Sequence, residues 1–218
     1  MLFKNRAQAA RLLADGLAGY SGGNPLVLAI PRGAVPMAKI IADRLGGEFD
    51  VVLVRKLGAP GNREFAVGAV DETGWVYLAP WAGETGADAA YVEQQKQIEL
   101  ETMRQRRARY SPLRPPRDPA GRIVIVTDDG LATGSTMIAA LHALRARRPQ
   151  KLVCAVPVAP PQTLGKVEPY CDELVCLHAP VDFRAVGRFY RDFVQVDDED
   201  VISLLRGAPA APSGPSSG

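Results

Sequence analysis

A short segment of the chain combines side chains and backbone that could hold a sugar phosphate. From Arg122 to Thr136 it reads RIVIVTDDGLATGST, which is a β-branched run, two adjacent acids and then hydroxyl-bearing residues where a helix should begin. The N–H groups and the positive dipole end of a helix start bind phosphate. The carboxylates of Asp128 and Asp129 can accept hydrogen bonds from hydroxyls such as those of a ribose. The segment therefore predicts one loop that binds both groups.

Two further segments place positive charge directly after a predicted strand. Arg32 and Gly33 follow the apolar run 26–30, and the pair Arg55-Lys56 follows the run 51–54. In a mainly parallel sheet, ligands bind at the carboxyl ends of strands, near the point where the strand order reverses. One acidic and two basic loops at such an edge would suit a ligand with a diol, a monophosphate and a second polyanionic group.

Apolar runs that alternate with amphipathic segments predict the elements that hold these loops. They indicate an α/β fold with a mainly parallel central sheet flanked by helices. The predicted strands are 26–30, 51–54, 123–127, 152–158 and 173–177, with a hairpin over 66–71 and 75–78. The predicted helices are 6–19, the second half of 31–47, 88–110, 134–147 and 161–167. Turn-forming residues predict a loop over 57–64.

The acidic segment resembles a known signature. VIVTDDGLATGST is similar to the phosphoribosyl diphosphate (PRPP) binding motif of type I phosphoribosyltransferases, and it covers thirteen contiguous positions. RKLGAPGNREFAVGAV and VDFRAVGRFYRDFVQVDDEDV further resemble a bacterial subgroup of that family. The resemblance runs through most of residues 1–206. It implies a Rossmann-like domain with a small hood subdomain, formed by 178–206 with part of the N-terminus.

The resemblance also assigns roles within the acidic segment. Asp128 and Asp129 would bind the ribose hydroxyls of PRPP. The remaining PRPP contacts that it implies come from Gly130, Ala132, Thr133, Gly134, Ser135 and Thr136. Taken alone, an acid pair after a strand can be a solvated or capping feature, and Thr133 and Ser135 could be ordinary N-cap residues. The two basic loops favour the binding interpretation.

The basic residues match other parts of the family pattern. Arg32 and Gly33 match the diphosphate loop, in which a non-proline cis peptide often occurs. Arg55 and Lys56 match the basic pair at the root of a flexible catalytic loop, here 57–64, which would close as a lid. Together with the acid pair, these three cations are the predicted catalytic residues. Exposed basic pairs are also common without any function.

The acceptor is not identified by the sequence. Hypoxanthine-guanine enzymes of the family carry an aspartate just before T-G, whereas this chain has Ala132, as adenine and orotate enzymes do. That difference disfavours a 6-oxopurine acceptor. Acceptor-binding candidates are His178 at the end of the last strand and, in the hood segment, Phe183 and Tyr190. Packing against the sheet is an equally good account of the aromatic residues.

The predicted activity is transfer of the 5-phosphoribosyl group from PRPP to a nitrogen acceptor, with release of diphosphate. The resemblance implies Mg²⁺ as cofactor, held through PRPP oxygens and water near Asp128 and Asp129 with no direct protein ligand. It also implies a homo-oligomer, a dimer, in which a neighbouring subunit completes the site. The alternative is a non-catalytic regulator of the same fold that senses PRPP or a nucleotide.

Composition limits the other classes of function. The 218 residues carry 26 basic and 24 acidic side chains, so the net charge of +2 does not favour nucleic acid as a partner. No apolar run reaches the length of a membrane span. Three cysteines without metal-ligand spacing, and no signal peptide, are typical of a cytoplasmic protein. We expect one domain over 1–206 and a disordered tail over 207–218, with an expression scar at 213–218.

Overall fold

The computed structural model describes residues 1–110 and 116–207. The helices within this range are α1 Arg6–Gly16, α2 Val35–Leu45, α3 Ala89–Tyr110, α4 Ser135–Arg145, α5 Pro161–Val167 and α6 Asp198–Leu205. The strands are β1 Leu26–Ala29, β2 Glu48–Val51, β3 Val54–Ala59, β4 Asn62–Asp71, β5 Val76–Leu78, β6 Ile123–Thr127, β7 Lys151–Val158 and β8 Glu173–His178. The predicted tail lies outside the described residues, apart from Gly207.

Five strands form a parallel sheet in the order β2-β1-β6-β7-β8. The residues of β1, β6 and β7 are almost entirely buried, because helices cover both faces of the sheet. The fold class predicted from the sequence is thereby confirmed. The order reverses between β1 and β6, so the loops that follow these two strands meet at the switch point.

The two faces of the sheet are covered by different helices. Helices α1 and α2 pack against each other and over one face, and α4 packs over the other. Helix α2 has a proline in its first turn and is capped after Leu45 by Gly46, whose φ of 67° lies in the left-handed region that favours glycine. These helices position the loop that follows β1 and the loop that precedes α4.

A second, antiparallel sheet of β3, β4 and β5 corrects two predictions. The predicted strand over 51–54 is wrong, since β2 ends at Val51 and β3 begins at Val54. A continuous apolar run does not show where one buried strand stops and the next begins. The predicted loop over 57–64 is also wrong in its extent, because most of it belongs to the β3–β4 hairpin. Only Pro60 and Gly61 form the turn, with Gly61 at a φ of 73°.

The N-terminus pairs with the segment that follows β8. Phe3 forms an isolated parallel bridge with Tyr190, supported by backbone hydrogen bonds from Phe3 to Phe189 (2.8 Å) and from Arg191 to Phe3 (2.9 Å). Beyond that segment, Asp197 caps α6 in a reciprocal capping box with Asp200. None of the helices in the described ranges is both long enough and apolar enough to traverse a bilayer.

Candidate active site

Strand β6 carries the acid pair to the edge of the sheet. The backbone N–H of Asp129 donates to Oδ1 of Asp128 at 2.8 Å. Burial, and then the negative charge of Asp129, hold the pKa of Asp128 well above its usual range. The nearby charges of Lys56 and Arg6 act in the opposite direction. The pair is therefore an electrostatically unfavourable arrangement in the absence of a ligand.

Asp129 is held by residues from both ends of the chain. Arg6 of α1 donates from Nε and Nη2 to Oδ2 of Asp129, at 2.9 and 2.7 Å. The hydroxyl of Tyr190 donates to the backbone carbonyl of Asp129 at 2.7 Å. Gly33 lies so close that a Cβ there would be 2.3 Å from Oδ2 of Asp129. The loop after β1 and the loop after β6 thus require a glycine where they meet.

The loop that enters α4 has the form expected of a phosphate site. Gly134 precedes the helix at a φ of 80°, and Ser135 is its first residue. A side chain at Gly134 would meet Thr163 and Val167, each at 3.0 Å, so the turn is packed tightly against α5. The hydroxyl of Thr163 donates to the carbonyl of Ala132 at 2.7 Å, which fixes the loop further.

The hydroxyl residues of this loop differ in accessibility. Thr133 and Thr136 are half-buried and border the cavity described below, whereas Ser135 is 1% exposed. The hydroxyl oxygens of Thr133 and Ser135 lie 3.3 Å apart. Ser135 can therefore contribute a backbone N–H at the helix start, while its side chain faces inwards.

Two of the three predicted cations are tethered to acids. The Pro31–Arg32 peptide bond is cis, as the family pattern predicts, and Nη1 of Arg32 lies 3.8 Å from Oδ2 of Asp198 in α6. Nε of Arg55 in β3 donates to Oε2 of Glu99 in α3 at 2.6 Å. Lys56, the next residue, is exposed. The tethers orient the two guanidinium groups at the mouth of the site.

These loops enclose a cavity of about 700 Å³. Among the predicted site residues, its wall includes Arg32, Gly33, Arg55, Lys56, Asp128, Asp129, Gly130, Ala132, Thr133, Gly134 and Thr136. The acid pair, the helix start and the cations thus face one space. Hydrogen-bond acceptors for a diol and donors for two separate phosphate groups are available within it.

The described residues contain no group of three or more His, Cys, Asp or Glu side chains that could hold a metal ion. The oxygen donors of Asp128 and Asp129 are nevertheless of the hard type that Mg²⁺ prefers. The acid pair therefore fits an ion that lies close to it and takes its ligands from water and from the oxygens of a bound substrate.

Comparison with known proteins agrees with this geometry. The family model described as "Phosphoribosyl transferase domain" matches residues 1–193. The chain belongs to this family. A crystal structure of TT1426 from Thermus thermophilus shares 46% sequence identity and a TM-score of 0.80, covering 95% of this chain and 99% of that one.

Two curated relatives of the family come from Mycobacterium tuberculosis. "Putative phosphoribosyl transferase Rv0571c", from strain H37Rv, is 40% identical over 205 residues, which are 94% of this chain and 46% of the relative. "Putative phosphoribosyl transferase MT0597", from strain CDC 1551, matches with the same values. This phosphoribosyl transferase domain thus spans about half the length of the curated relatives it matches.

The acceptor candidates are His178 at the end of β8 and Phe183 and Tyr190 in the hood segment. All three are absent from the described wall of the cavity. Tyr190 is 5% exposed, and its ring packs against Phe3. Its hydroxyl donates a hydrogen bond to the backbone carbonyl of Asp129. Phe183 stacks on Phe189 with ring centroids 5.3 Å apart. Nε2 of His178 lies 3.0 Å from the N-terminal amine of Met1, and burial, then that amine, lowers the pKa of His178.

Several residues of the site carry no local sequence signal. Val186 of the hood segment and Gln95 and Glu99 of α3 border the cavity, while Arg6 and Asp198 hold residues of its wall. Each is an ordinary residue of a helix or loop in the sequence. Only their spatial proximity to the loops identifies them.

Proposed function

We propose that this domain binds PRPP with Mg²⁺ and transfers its 5-phosphoribosyl group to a nitrogen acceptor, releasing diphosphate. The observation that carries the proposal is the single cavity that the acid pair, the start of α4 and the cations share. A phosphoribosyl donor has a diol, a 5′-phosphate and a diphosphate. Each of these groups meets complementary chemistry in this cavity.

The ribose 5-phosphate half of PRPP would lie along the loop after β6. The backbone N–H groups from Thr133 to Thr136 and the positive end of α4 stabilise the monophosphate. Asp128 and Asp129 accept hydrogen bonds from the 2′- and 3′-hydroxyl groups. Both contacts come from one continuous loop, so they fix the position of C1 relative to the cations.

The reaction forms a bond from the acceptor nitrogen to C1 and breaks the bond from C1 to the diphosphate oxygen. The electron pair of the broken bond leaves with diphosphate, and the proton of the acceptor nitrogen passes to the departing diphosphate or to solvent water. Negative charge grows on the leaving group, so positive charge already in place stabilises the transition state. Arg32, Arg55 and Lys56 supply that charge.

Mg²⁺ would be held near Asp128 and Asp129 through water and the oxygens of PRPP. When bound, the ion supplies additional positive charge that neutralises phosphate oxygens. The residues of the chain orient the ribose and the diphosphate around it. A cation nearby would favour the ionised carboxylate of Asp128, whose pKa burial and the charge of Asp129 raise.

The β3–β4 hairpin would act as the lid. Its base carries Arg55 and Lys56, and its turn at Pro60 and Gly61 is at the far end of the hairpin. Closure of the turn over bound PRPP excludes water, which would otherwise capture the cationic ribosyl group.

The acceptor would bind between the hood segment and the loop after β6. Val186 is the member of the hood that borders the cavity, and the predicted contacts from His178, Phe183 and Tyr190 require this segment to rearrange. Ala132 at the cavity edge offers no carboxylate, which disfavours a 6-oxopurine. We further propose a dimer in the cytoplasm, in line with the family resemblance.

The deciding experiment measures diphosphate release from PRPP and Mg²⁺ with a panel of purines, pyrimidines and other nitrogen acceptors. Turnover with at least one acceptor is expected. Calorimetry then tests the donor site, where the double variant Asp128→Asn with Asp129→Asn should weaken PRPP binding by tenfold or more, about the free energy of one charge-assisted hydrogen bond. Asp182→Asn is the control, since that side chain is 89% exposed.

The outcomes separate the candidate functions. PRPP binding without turnover for any acceptor supports the sensing regulator. Unchanged PRPP affinity in the folded double variant rejects the donor site itself.

A further inference from the structure

We propose that Arg6 is a positioning residue of the donor site, which orients Asp129 and halves the net charge of the acid pair. The proposal rests on the proposed function and extends it to a helix that the family motif does not include. Arg6 lies in the first turn of α1, 123 residues from Asp129 in the sequence. It does not border the cavity itself, so its effect on a ligand would pass through Asp129.

Arg6 is held in one orientation by all three of its guanidinium nitrogens. Nε and Nη2 donate to Oδ2 of Asp129, and Nη1 donates to the backbone carbonyl of Val194 at 2.5 Å. The guanidinium also lies over the ring of Phe193, 3.8 Å from its centroid. A planar cation with every nitrogen bonded and one face stacked is a rigid support.

Both Arg6 contacts on Asp129 go to the same carboxylate oxygen. Oδ2 receives both hydrogen bonds, while Oδ1 accepts none from the described residues. Oδ1 is thus left to accept a hydrogen bond from a ligand hydroxyl. Gly33 closes the other side, because any Cβ there would contact Oδ2 at 2.3 Å and Nη2 of Arg6 at 3.1 Å.

The ion pair is well shielded from solvent. The side chains of Arg6 and Asp129 are 13% and 16% exposed. In such surroundings a paired charge is tolerated, whereas removal of one partner leaves the other buried without compensation. Arg6 also opposes the rise in the pKa of Asp128. With both carboxylates ionised, the acid pair together with Arg6 carries a net charge of −1, so it repels an approaching polyphosphate less than two bare carboxylates would.

Arg6 also joins the two ends of the chain to the donor site. Through Val194 and Phe193 it contacts the segment after β8, and Tyr190 of that segment donates to the carbonyl of Asp129. Occupancy of the ribose position should therefore stabilise the contact between α1 and the hood segment.

The test compares Arg6→Met and Arg6→Lys with the wild-type chain by calorimetry in Mg²⁺ buffer, using PRPP and inorganic diphosphate as separate ligands. For Arg6→Met we expect PRPP to bind at least about tenfold more weakly. Diphosphate should change less than twofold, because its cations are Arg32, Arg55 and Lys56. Arg6→Lys keeps the positive charge but loses the planar guanidinium group with its several fixed N–H donors. PRPP binding should therefore weaken by a factor between those of the wild type and Arg6→Met.

A pH series supplies a second measurement that a structural role alone would not change. Arg6 lowers the pKa of Asp128, so without Arg6 that carboxyl holds its proton to higher pH and the rise of PRPP affinity with pH should move upwards in Arg6→Met. Arg11→Met is the matched control, since Arg11 is an exposed residue of the same helix. It should bind both ligands as the wild type does.

The proposal is overturned if Arg6→Met binds PRPP like the wild type, or if PRPP and diphosphate affinities fall in parallel with no change in the pH profile. Should Arg6→Met fail to fold, Arg6→Lys decides, and wild-type affinity for PRPP in that variant would reject the role. Failure of the proposed function has a different signature, because then the wild-type chain itself does not bind PRPP.

Discussion

Nε of Arg55 lies 2.6 Å from Oε2 of Glu99, and both residues border the cavity. A carboxylate thus stands beside a cation that we assign to the leaving diphosphate. Arg32 is tethered in a similar way by Asp198, though at 3.8 Å. The acids come from α3 and α6, which lie outside the binding signature. These carboxylates orient the two arginine side chains, but their negative charge reduces the net positive charge of the site.

Glu99→Gln should tighten the binding of diphosphate. Glutamine keeps a hydrogen-bond acceptor for Arg55 but removes a negative charge close to the phosphates, so we expect a gain of about two- to fivefold in affinity. Calorimetry with diphosphate and Mg²⁺ measures it. Glu101→Gln, an exposed position of the same helix at 54% exposure, is the control and should have no effect. Weaker binding by Glu99→Gln would show that the carboxylate chiefly orients Arg55.

Gly33→Ala should abolish detectable PRPP binding while the protein remains folded. The added Cβ would lie 2.3 Å from Oδ2 of Asp129, so the acid or the loop after β1 must move. Affinity and the thermal midpoint are measured together. Gly19→Ala, with open space around its Cβ position, should leave both unchanged. Normal PRPP affinity in Gly33→Ala would mean that the close contact is not needed.

Asp128→Asn should stabilise the protein at neutral pH although it impairs PRPP binding. Burial and the charge of Asp129 raise the folded-state pKa of Asp128. An acid with a raised pKa stabilises the fold below its unfolded pKa, and that contribution is lost as the pH rises through the folded pKa. Asparagine carries no charge and avoids this loss of stability. Each kcal/mol gained in the free energy of unfolding raises the thermal unfolding midpoint by about 2–4 °C.

Thermal unfolding of Asp128→Asn and the wild type at a series of pH values measures this effect. The two midpoints should converge in acid, below the ordinary pKa of an aspartate. Asp129→Asn should instead lower the midpoint at neutral pH, since it leaves Arg6 buried without its partner. Equal effects of the two substitutions would contradict the asymmetry seen in the structure.

Binding of PRPP with Mg²⁺ should protect the hairpin turn from hydrogen exchange. The turn at Pro60 and Gly61 should close over the ligand, so the amides of residues 61 and 62 should exchange more slowly. The buried amides of β7 are the reference, and their exchange should not respond. An unchanged rate at the turn in saturated protein would exclude a lid at this hairpin.

Two features of the fold could not be predicted from local sequence patterns. The run 51–54 was one predicted strand, yet it contains the end of β2 and the start of β3, because apolar character reports burial and not the direction of the chain. Tyr190 was predicted to face the acceptor. Its burial against Phe3 depends on contacts between the two ends of the chain, which no periodicity encodes.

The sequence by itself determined the family, the parallel α/β sheet and the residues that we propose for binding a phosphoribosyl donor. It could do so because a strand, a glycine-containing turn and a helix start are contiguous, and short-range geometry decides their shape. Only the tertiary structure decided which partners hold those residues. Arg6 reaches Asp129 across 123 positions and Glu99 reaches Arg55 across 44. A charged side chain does not specify its partner until packing brings two distant segments together.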